Sequence, residues 1–339
     1  MTALWKKWTA IVPAPFLTAL LLGAGYLAFV AWDQHHWWRL KADYSFGWLV
    51  PAFVAFVVHD RWPRIVAALR ACATPGSPRA AGWSRRVLQV LGFGGLLGGG
   101  GLFLFGALYR AGAGSEYPGT LAITLGASTL LLASLFLFAP EAEGEPGPAA
   151  GLQADARVKL VALFVFPALV WLVSAPMVSV VEQNLSAFLL QRVTSIVFFF
   201  FDTLGLPIQQ QGNVLVLPDF DGHANQVGVE QACSGIRSLT GCLFAGSFLA
   251  AVFLDRGWKK VALVSLSMVL AFCTNLLRGL FLTGWAYRYG SESMEKQVHD
   301  LAGYSVLGLT VAGLLCLLPL FNLKISFGGR RPGPKRGAG

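Results

Sequence analysis

Residues 117–139 read YPGTLAITLGASTLLLASLFLFA, an uncharged and mostly apolar run. A helix needs about 20 such residues to cross the hydrocarbon core of a bilayer, so this run predicts a transmembrane helix. Similar runs lie on both sides of it, and together they predict an all-α polytopic membrane protein with about eight transmembrane helices. The predicted spans are residues 10–32, 44–59, 87–109, 117–139, 160–181, 238–254, 261–284 and 301–323.

The composition and charge agree with a membrane protein. Only 13% of the residues are charged, whereas a soluble protein carries about a quarter. The net charge is +9, and most of the 26 lysine and arginine residues fall on one side of the eight-span topology. Basic residues accumulate on the cytoplasmic side, which predicts cytoplasmic N- and C-termini. Because topology explains the basic excess, no nucleic-acid partner is predicted. The first span is expected to be retained, since no small-x-small cleavage site follows it.

Two segments outside the spans divide the chain. Residues 141–159 are rich in Pro, Gly and Glu, and they predict a cytoplasmic linker between an N-terminal four-helix membrane region (1–140) and a second membrane region (160–323). Residues 60–86 are basic and contain prolines and glycines, and they predict an irregular cytoplasmic connector. A basic cytoplasmic tail, residues 324–339, is predicted to follow the last span.

The longest predicted outer segment, residues 182–232, is expected to form a small extracytoplasmic cap between spans five and six. Its uncharged stretch Val193 to Phe201 is too short to cross a bilayer and predicts an interfacial helix. Farther along, Gly212-Asn213 separates two β-like runs, which predicts a hairpin.

Three residues are candidates for chemistry, and each has an ordinary explanation as well. Arg278 interrupts an apolar span, which indicates a functional residue unless its side chain only reaches the headgroups. Cys233 precedes a predicted helix, where unsatisfied amides and Arg237 would favour a thiolate, although an unreactive interfacial cysteine is the alternative. His299 precedes the last span, and histidine suits proton transfer near neutrality, although a lone outer histidine is often just solvated.

The topology gives these three residues a common face. A thiolate, an imidazole and a guanidinium together meet the requirements of acyl transfer. The other cysteines are Cys72, Cys242, Cys273 and Cys316, and they form no CxxC pair and no metal-like spacing. We therefore predict no disulfide framework, no metal and no cofactor, and we expect Cys242 and Cys273 to pack in the core.

Several motifs together resemble the exosortase/archaeosortase family. Residues 232–239, ACSGIRSL, form the most specific of them, and Asn275-x-x-Arg278 and His299-x-x-x-Gly303 follow in the same order. Residues 43–51, DYSFGWLVP, are similar to the family's DYSHG-type segment, with Phe46 where histidine is common. The resemblance extends over roughly residues 37–321. The archaeal branch tends to have an arginine where this chain has His299, so the resemblance favours a bacterial exosortase.

The resemblance implies a cysteine transpeptidase with Cys233 as nucleophile, Arg278 as the essential arginine and His299 as acid/base. It implies a bacterial inner-membrane location with the active site on the periplasmic face, and no fused accessory domain is expected. The implied partners are exported proteins whose C-terminal tail holds a Pro-Glu-Pro-like (PEP-CTERM) motif, a membrane helix and a basic cluster, together with an acceptor nucleophile. Six neighbours are expected to support the site: Glu230, Ser234, Gly235, Arg237, Asn275 and Asp300.

Two other functions stay open at this point. The chain can be a non-enzymatic component of an exopolysaccharide export assembly, in which cysteine and histidine substitutions are silent. It can also be a small-solute transporter with Arg278 as an anion site. A transporter of this kind would favour an inverted repeat, and none is visible in the sequence.

Overall fold

The structure, a computed structural model, describes residues 12–141, 149–177, 179–217, 225–228, 236–290 and 296–322. Those residues form ten α-helices and five short strands. The α-helices are α1 (Ala14–Leu40), α2 (Val50–Ala73), α3 (Gly82–Ala113), α4 (Tyr117–Leu137), α5 (Ala156–Ala162), α6 (Val165–Ser174), α7 (Ser179–Thr203), α8 (Ile236–Phe253), α9 (Gly257–Tyr289) and α10 (Lys296–Asn322). A 3₁₀ helix (Ala42–Leu49), here called the connector helix, joins α1 to α2, and a short one covers Leu152–Ala154.

The strands form two small sheets. One sheet pairs β1 (Arg79–Ala80) with β2 (Ala149–Ala150) in parallel. The other is antiparallel, in the order β3 (Gln209–Gln211), β4 (Val214–Leu217) and β5 (Asn225–Gly228). The turn between β3 and β4 is the hairpin predicted at Gly212-Asn213, and Gly212 takes the positive φ of +63° that such a turn requires.

The all-α polytopic membrane fold is confirmed. Seven described helices are long and apolar enough to cross a membrane: Ala14–Leu40, Gly82–Ala113, Tyr117–Leu137, Ala156–Ser174, Val180–Thr203, Gly257–Tyr289 and Leu301–Pro319. Six of them match predicted spans. The predicted spans 44–59 and 238–254 are not among the seven, because α2 carries several charged residues in its second half and the apolar part of α8 is shorter. The number of spans therefore stays a prediction.

The ends of the helices are grouped at two opposite ends of the bundle. One end is here called the connector end. There the Nζ atom of Lys41 lies 2.9 Å from Oε1 of Glu182, near the start of α7. The backbone N–H of Met177 donates to the Tyr44 hydroxyl at 3.0 Å at the same end. Trp37 of α1 stacks on Tyr117 of α4 at the same end, with ring centroids 4.5 Å apart. These contacts place the end of α1 beside the starts of α4 and α7.

The other end is here called the basic end, because the connections between helices there are rich in arginine and lysine. Buried Asp155 accepts hydrogen bonds from the backbone N–H groups of Ala80 and Arg157, at 3.0 and 2.9 Å, and so ties β1 to the start of α5. Burial raises the pKa of this carboxyl, but the hydrogen bonds from Arg157 and Ala80 and the Arg157 charge outweigh burial, so the pKa lies below its ordinary value. Asp155 therefore caps α5 as a carboxylate at neutral pH.

The main core joins α1, α4 and α6 through apolar contacts and a buried polar network. Gln34 of α1 donates to the Thr124 hydroxyl and to the Trp171 carbonyl, and the Ser174 hydroxyl donates to the Gln34 amide oxygen at 2.7 Å. Such bonds satisfy a buried amide that the apolar interior would otherwise penalise. Phe164 and Trp171 belong to this core together with the N-terminal helices. The domain division at residues 141–159 stays a prediction.

Glycines allow α3 to approach α4 closely. A Cβ added at Gly126 would lie 2.5 Å from the backbone nitrogen of Phe103, and one at Gly106 would lie 2.7 Å from that of Ile123. Close approach of this kind lets two helices pack in lipid, where no hydrophobic force drives them together.

Two sequence expectations are wrong, and two helices are longer than their predicted spans. Helices α1 and α3 continue beyond the predicted spans 10–32 and 87–109, and in these added residues Asp33 of α1 forms an ion pair with Arg110 of α3. The Arg110 guanidinium also lies 4.2 Å from the centre of the Trp32 ring. Residues 60–73, expected to be irregular, continue α2 as a helix. Cys273, expected in the core, is exposed on the outside of α9, whereas Cys242 is buried as predicted.

The interfacial segment predicted at Val193–Phe201 is the second half of α7. Glu182 near the start of this helix pairs with Lys41, and a Cβ added at Gly284 near the end of α9 would lie 3.6 Å from the Phe201 ring. Both parts of α7 thus contact the connector end, which favours a helix lying along that end. Its length would also allow it to cross a membrane, so the extracytoplasmic cap stays a prediction.

The Arg61 side chain donates hydrogen bonds to two carbonyls that have no donor within their own helices. Its guanidinium donates to the carbonyls of Leu163 and Ala251, at 2.7 and 2.9 Å. The Leu163 carbonyl lacks its usual helical donor because residue 167 is a proline without an N–H group. The Ala251 carbonyl lies in the last turn of α8, where carbonyls have no helical partner. One side chain of α2 therefore joins the turn between α5 and α6 to the end of α8 at the basic end.

We expect Arg61→Ala to lower the free energy of unfolding by about 3 kcal/mol, because two partly buried carbonyls lose their donors at roughly 1–3 kcal/mol each. The measurement is the unfolding of the purified chain in a titration of mixed detergents. The control is Arg64→Ala, one turn along α2, whose exposed side chain lies 4.0 Å from an equally exposed Asp255 and which should change stability by less than about 0.5 kcal/mol. Equal effects of the two substitutions would contradict the bridging role of Arg61.

Candidate active site

Three different helices carry or adjoin the predicted catalytic residues at the connector end. Arg278 lies on α9, eleven residues before that helix ends at Tyr289. His299 lies in the first turn of α10, and the structure describes its backbone but not its side chain. Cys233 lies outside the described residues, three positions before α8 begins at Ile236. The site is therefore described in part, and the catalytic roles stay predictions.

Arg278 and the helix of His299 are in contact. A Cβ added at Gly303 of α10 would lie 3.7 Å from Nη2 and 4.0 Å from Cζ of Arg278. Gly303 follows His299 by four residues, and residues four apart lie on the same face of a helix. The guanidinium thus lies against the face of α10 that carries His299, one turn away from it. Gly303 makes this approach possible because it has no side chain.

The N-terminal motif at residues 43–51 lies against the helix that follows Cys233. The Thr240 hydroxyl of α8 donates to the backbone carbonyl of Asp43 at 3.1 Å. Phe46 stacks on Phe244 of α8, with ring centroids 5.2 Å apart. Phe46 stands where the family that this chain resembles commonly has histidine. Its aromatic ring packs on α8.

Buried polar groups continue from Arg278 toward the middle of the membrane region. Asn275, one turn before Arg278, is buried and has a polar interaction of its own. One residue earlier, the Thr274 hydroxyl lies 3.0 Å from the hydroxyl of Thr310 on α10. This contact joins α9 and α10 beneath the candidate site.

The hairpin covers the connector ends of α9 and α10. Leu215 and Leu217 of β4 are buried in one cluster with Leu282 and Ala286 of α9 and Ala302 of α10. The cluster lies on the turns that adjoin Arg278 and Gly303. Apolar packing of this kind keeps water from one side of the site and strengthens electrostatic interactions within it.

The structure describes the side chain of one of the six supporting residues predicted from the sequence. Glu230, Ser234 and Gly235 lie outside the described residues. Arg237 and Asp300 are helical in backbone, and their side chains are not described. Asn275 is the one whose side chain the structure places, and it lies next to the Arg278 turn. The roles of all six stay predictions.

Sequence reasoning did not single out Thr240, Thr274 and Thr310. Each is a threonine within or beside an apolar run, and threonine often bonds only to its own helix, so the sequence carries no signal that distinguishes them. The structure distinguishes them because their partners lie on other elements. Among the described residues no group of three or more His, Cys, Asp or Glu side chains could hold a metal ion.

We expect Gly303→Leu to reduce turnover about as strongly as the loss of Arg278 itself, because a branched side chain would displace the guanidinium from α10. Gly303→Ala should keep most of the activity, since its Cβ would meet the guanidinium at the ordinary contact distances of 3.7 and 4.0 Å. For the transpeptidase that the family resemblance implies, turnover can be followed as cleavage of a co-expressed substrate tail. The control is Gly308→Leu, on the same helix with nothing within 4 Å of an added Cβ. Full activity of the Gly303→Leu variant would show that Arg278 does not act from this position.

Comparison with known proteins matches most of the sequence to one family. A family model described as transmembrane exosortase (Exosortase_EpsH) matches residues 37–316, which include Cys233, Arg278 and His299. No curated protein and no solved structure matches the chain.

Proposed function

Because the chain belongs to the transmembrane exosortase family, we propose that it is a membrane cysteine transpeptidase that cleaves C-terminal sorting signals and transfers the exported protein to an acceptor. Family membership supports a membrane transpeptidase role in general. The observation that supports the finer proposal is the Arg278 guanidinium against α10, one turn from His299. The Arg278 guanidinium thus lies one helical turn from the backbone of His299, the residue that we propose for proton transfer.

The first half of the reaction forms a thioester. The Cys233 thiolate attacks the carbonyl carbon of the scissile peptide bond, and the carbonyl oxygen becomes an oxyanion that Arg278 stabilises through charge-assisted hydrogen bonds. The tetrahedral intermediate collapses as the C–N bond breaks. Protonated His299 gives its proton to the leaving amine, which departs with the membrane tail. The exported protein then remains on Cys233 as an acyl group, and His299 is neutral.

The second half releases the product. Neutral His299 takes a proton from the acceptor nucleophile, whose lone pair attacks the thioester carbonyl. Arg278 stabilises the second oxyanion, and the C–S bond breaks to restore the thiolate. Water in place of the acceptor would give hydrolysis by the same steps. The hairpin over α9 and α10 lies where it could limit the access of water.

A groove between α1 and α2 supports a substrate with a membrane helix. Its volume is about 870 Å³, and its floor is formed by α4 and α6. The walls carry small residues, among them Ala24, Ala28 and Ala31 of α1 and Ala55 of α2, and small residues let helix backbones approach closely in lipid. At the connector end the groove borders the connector helix, whose Asp43 carbonyl contacts α8. A helix in this groove would bring its outer end near the candidate site.

We expect Ala28→Phe to raise the KM for a tailed substrate about tenfold with little change in kcat, because the ring would fill the groove and remove binding made equally in ground and transition state. The measurement is cleavage rate against substrate density in reconstituted vesicles. The control is Leu22→Phe, which adds a ring to an exposed position of α1 outside the groove. An unchanged KM in the Ala28 variant would place the substrate helix elsewhere.

The distribution of basic residues supports an orientation of the protein in the membrane. Among the described residues, Arg61, Arg64 and Arg157 lie at the basic end, which supports a cytoplasmic basic end and a periplasmic connector end. In a bacterial inner membrane, the site would then face exported proteins after their translocation.

The test of the function is capture of the acyl-enzyme. The chain is co-expressed with a tagged substrate, quenched in acid, and separated without reducing agent. We expect a tagged adduct that hydroxylamine releases and that peptide mapping assigns to Cys233, because thioesters are cleaved by hydroxylamine and amides are not. A substrate processed without any adduct on Cys233 would overturn the thioacyl mechanism. Absence of both adduct and processing, with several tailed substrates, would favour the non-enzymatic export component.

A further inference from the structure

We propose that a cluster of cations at the basic end binds the headgroup of an anionic phospholipid. The cluster, here called the headgroup site, surrounds the turn between α8 and α9 and consists of Arg64, Arg256, Lys259 and Lys260. It lies at the opposite end of the bundle from Arg278 and His299, so its role is independent of the proposed function.

Two contacts bring α2 against the end of α8. The buried Arg61 guanidinium donates to the Ala251 carbonyl at 2.9 Å. About one turn farther along α2, Nη1 of Arg64 lies 4.0 Å from Oδ1 of Asp255. Arg256 follows Asp255 directly and is the last residue before α9. The Arg64 guanidinium therefore lies beside the turn from which α9 begins.

The start of α9 adds three more cations. Arg256 is exposed, whereas Lys259 and Lys260 are partly buried. The Lys259 ammonium donates to the Phe321 carbonyl at the end of α10. The backbone N–H of Lys260 donates to the Arg256 carbonyl at 3.2 Å, so these two residues lie one turn apart on the same face. The charge of Arg64 acts on the Lys260 ammonium, which agrees with a common surface for the cations of α2 and α9.

Positive charge exceeds negative charge on this surface. Residues 60–64 and 255–260 together hold five cations and two carboxylates. Within the part of the chain that the structure describes, no carboxylate lies within 4.0 Å of Arg256, Lys259 or Lys260. The ion pair between α2 and the turn is exposed on both sides, so water screens it. An anion bound at this surface would therefore offset the repulsion among the cations.

Apolar side chains beside the cations indicate an amphipathic ligand rather than a soluble anion. Phe253 at the end of α8 is 52% exposed, and Trp258 and Val261 of α9 are 63% and 68% exposed. Helix α9 is long and apolar enough to cross a membrane, and tryptophan is enriched where such helices meet the membrane surface. A phospholipid fits both features, because its phosphate suits the cations and its acyl chains suit the apolar surface.

The ligand chemistry follows from the donors. Phosphate oxygens accept charge-assisted hydrogen bonds from the Arg64 guanidinium and from the Lys260 ammonium. A phosphate that accepts from both would join α2 to α9 beside the buried Arg61. A ligand that binds only the folded protein stabilises it, so bound lipid should raise the resistance of the chain to unfolding.

The experiment uses the full chain purified in detergent and native mass spectrometry of its lipid complexes. The probes are phosphatidylglycerol, which is anionic, and phosphatidylethanolamine with the same acyl chains. The double variant Arg64→Gln/Lys260→Gln removes two charges, and Arg64→Lys/Lys260→Arg keeps both. The control is Arg85→Gln/Arg86→Gln, which removes two charges from exposed arginines at the start of α3, beside Trp83, whose side chain is 76% exposed.

We expect the glutamine variant of the headgroup site to bind phosphatidylglycerol about 30-fold more weakly than the parent, because each cation near an anionic headgroup contributes about fivefold. The charge-retaining variant and the α3 control should both stay close to the parental affinity. Added phosphatidylglycerol should also raise the unfolding midpoint of the parent but not that of the glutamine variant. Without lipid the two proteins should unfold alike, which shows that the glutamine variant is folded.

Three results would overturn the headgroup site. Equal losses in the glutamine variant and in the α3 control would reduce the effect to general surface charge. Equal affinity of the parent for the two phospholipids would exclude recognition of an anionic headgroup. Displacement of bound phosphatidylglycerol by millimolar inorganic phosphate would assign the cations to a soluble anion instead.

Discussion

Cells that carry the Cys233→Ala variant should accumulate uncleaved substrate while the variant itself stays in the membrane at normal levels. Removal of an attacking nucleophile costs on the order of 10⁶-fold in the turnover of a peptidase, because no other group at the site can form the thioester. The change removes one sulfur atom, and we expect little effect on folding. Immunoblots of the substrate and of the chain in the same membrane fractions measure both quantities.

The matched control is Cys273→Ala, which removes a thiol from the exposed side of α9. That variant should process substrate at the parental rate, because Cys273 lies on the lipid-facing surface. Normal processing by the Cys233 variant would end the proposal of cysteine catalysis for this chain.

Apolar runs predicted most of the helices because lipid demands them, but they did not predict where the helices end. Helices α1 and α3 continue beyond the predicted spans to include Asp33 and Arg110, which form an ion pair with each other. The partner of each residue lies 77 positions away in the sequence, and no local pattern reveals it. The same holds for residues 60–73, where the buried Arg61 donates to two carbonyls that belong to the turn between α5 and α6 and to α8.

The site was predictable to the extent that its residues are unusual for their surroundings. Arg278 attracted attention as a charge in an apolar helix, and Cys233 and His299 through motifs at the same predicted face. The sequence does not show which residues contact these side chains or the helices that carry them in the folded protein. The contact between Arg278 and Gly303, and that between Thr240 and the Asp43 carbonyl, depend on how separate helices pack. A glycine or a threonine within a span has many possible roles, and the contacts alone select one.

The substitution Arg278→Lys should reduce processing by about 100- to 1,000-fold, the range seen when one group that stabilises an oxyanion is removed. Lysine keeps the positive charge, so this variant separates charge from geometry. A guanidinium presents several N–H groups in a plane, whereas an ammonium is a compact charge on a flexible stem and cannot hold the same pair of donors against α10. The loss should appear in kcat, because the oxyanion exists only in the transition state and intermediates.

The control for this substitution is Arg288→Lys on the same helix. The Arg288 guanidinium lies 5.8 Å from the centre of the neighbouring Tyr289 ring, near the end of α9 and ten residues beyond Arg278. Its replacement should leave both kcat and KM at parental values. Two results would count against Arg278 as the oxyanion group. One is a lysine variant with parental kcat, which would reduce the residue to a charge at the membrane surface. The other is a rise in KM alone, which would make Arg278 a substrate-binding residue and leave the oxyanion to another donor.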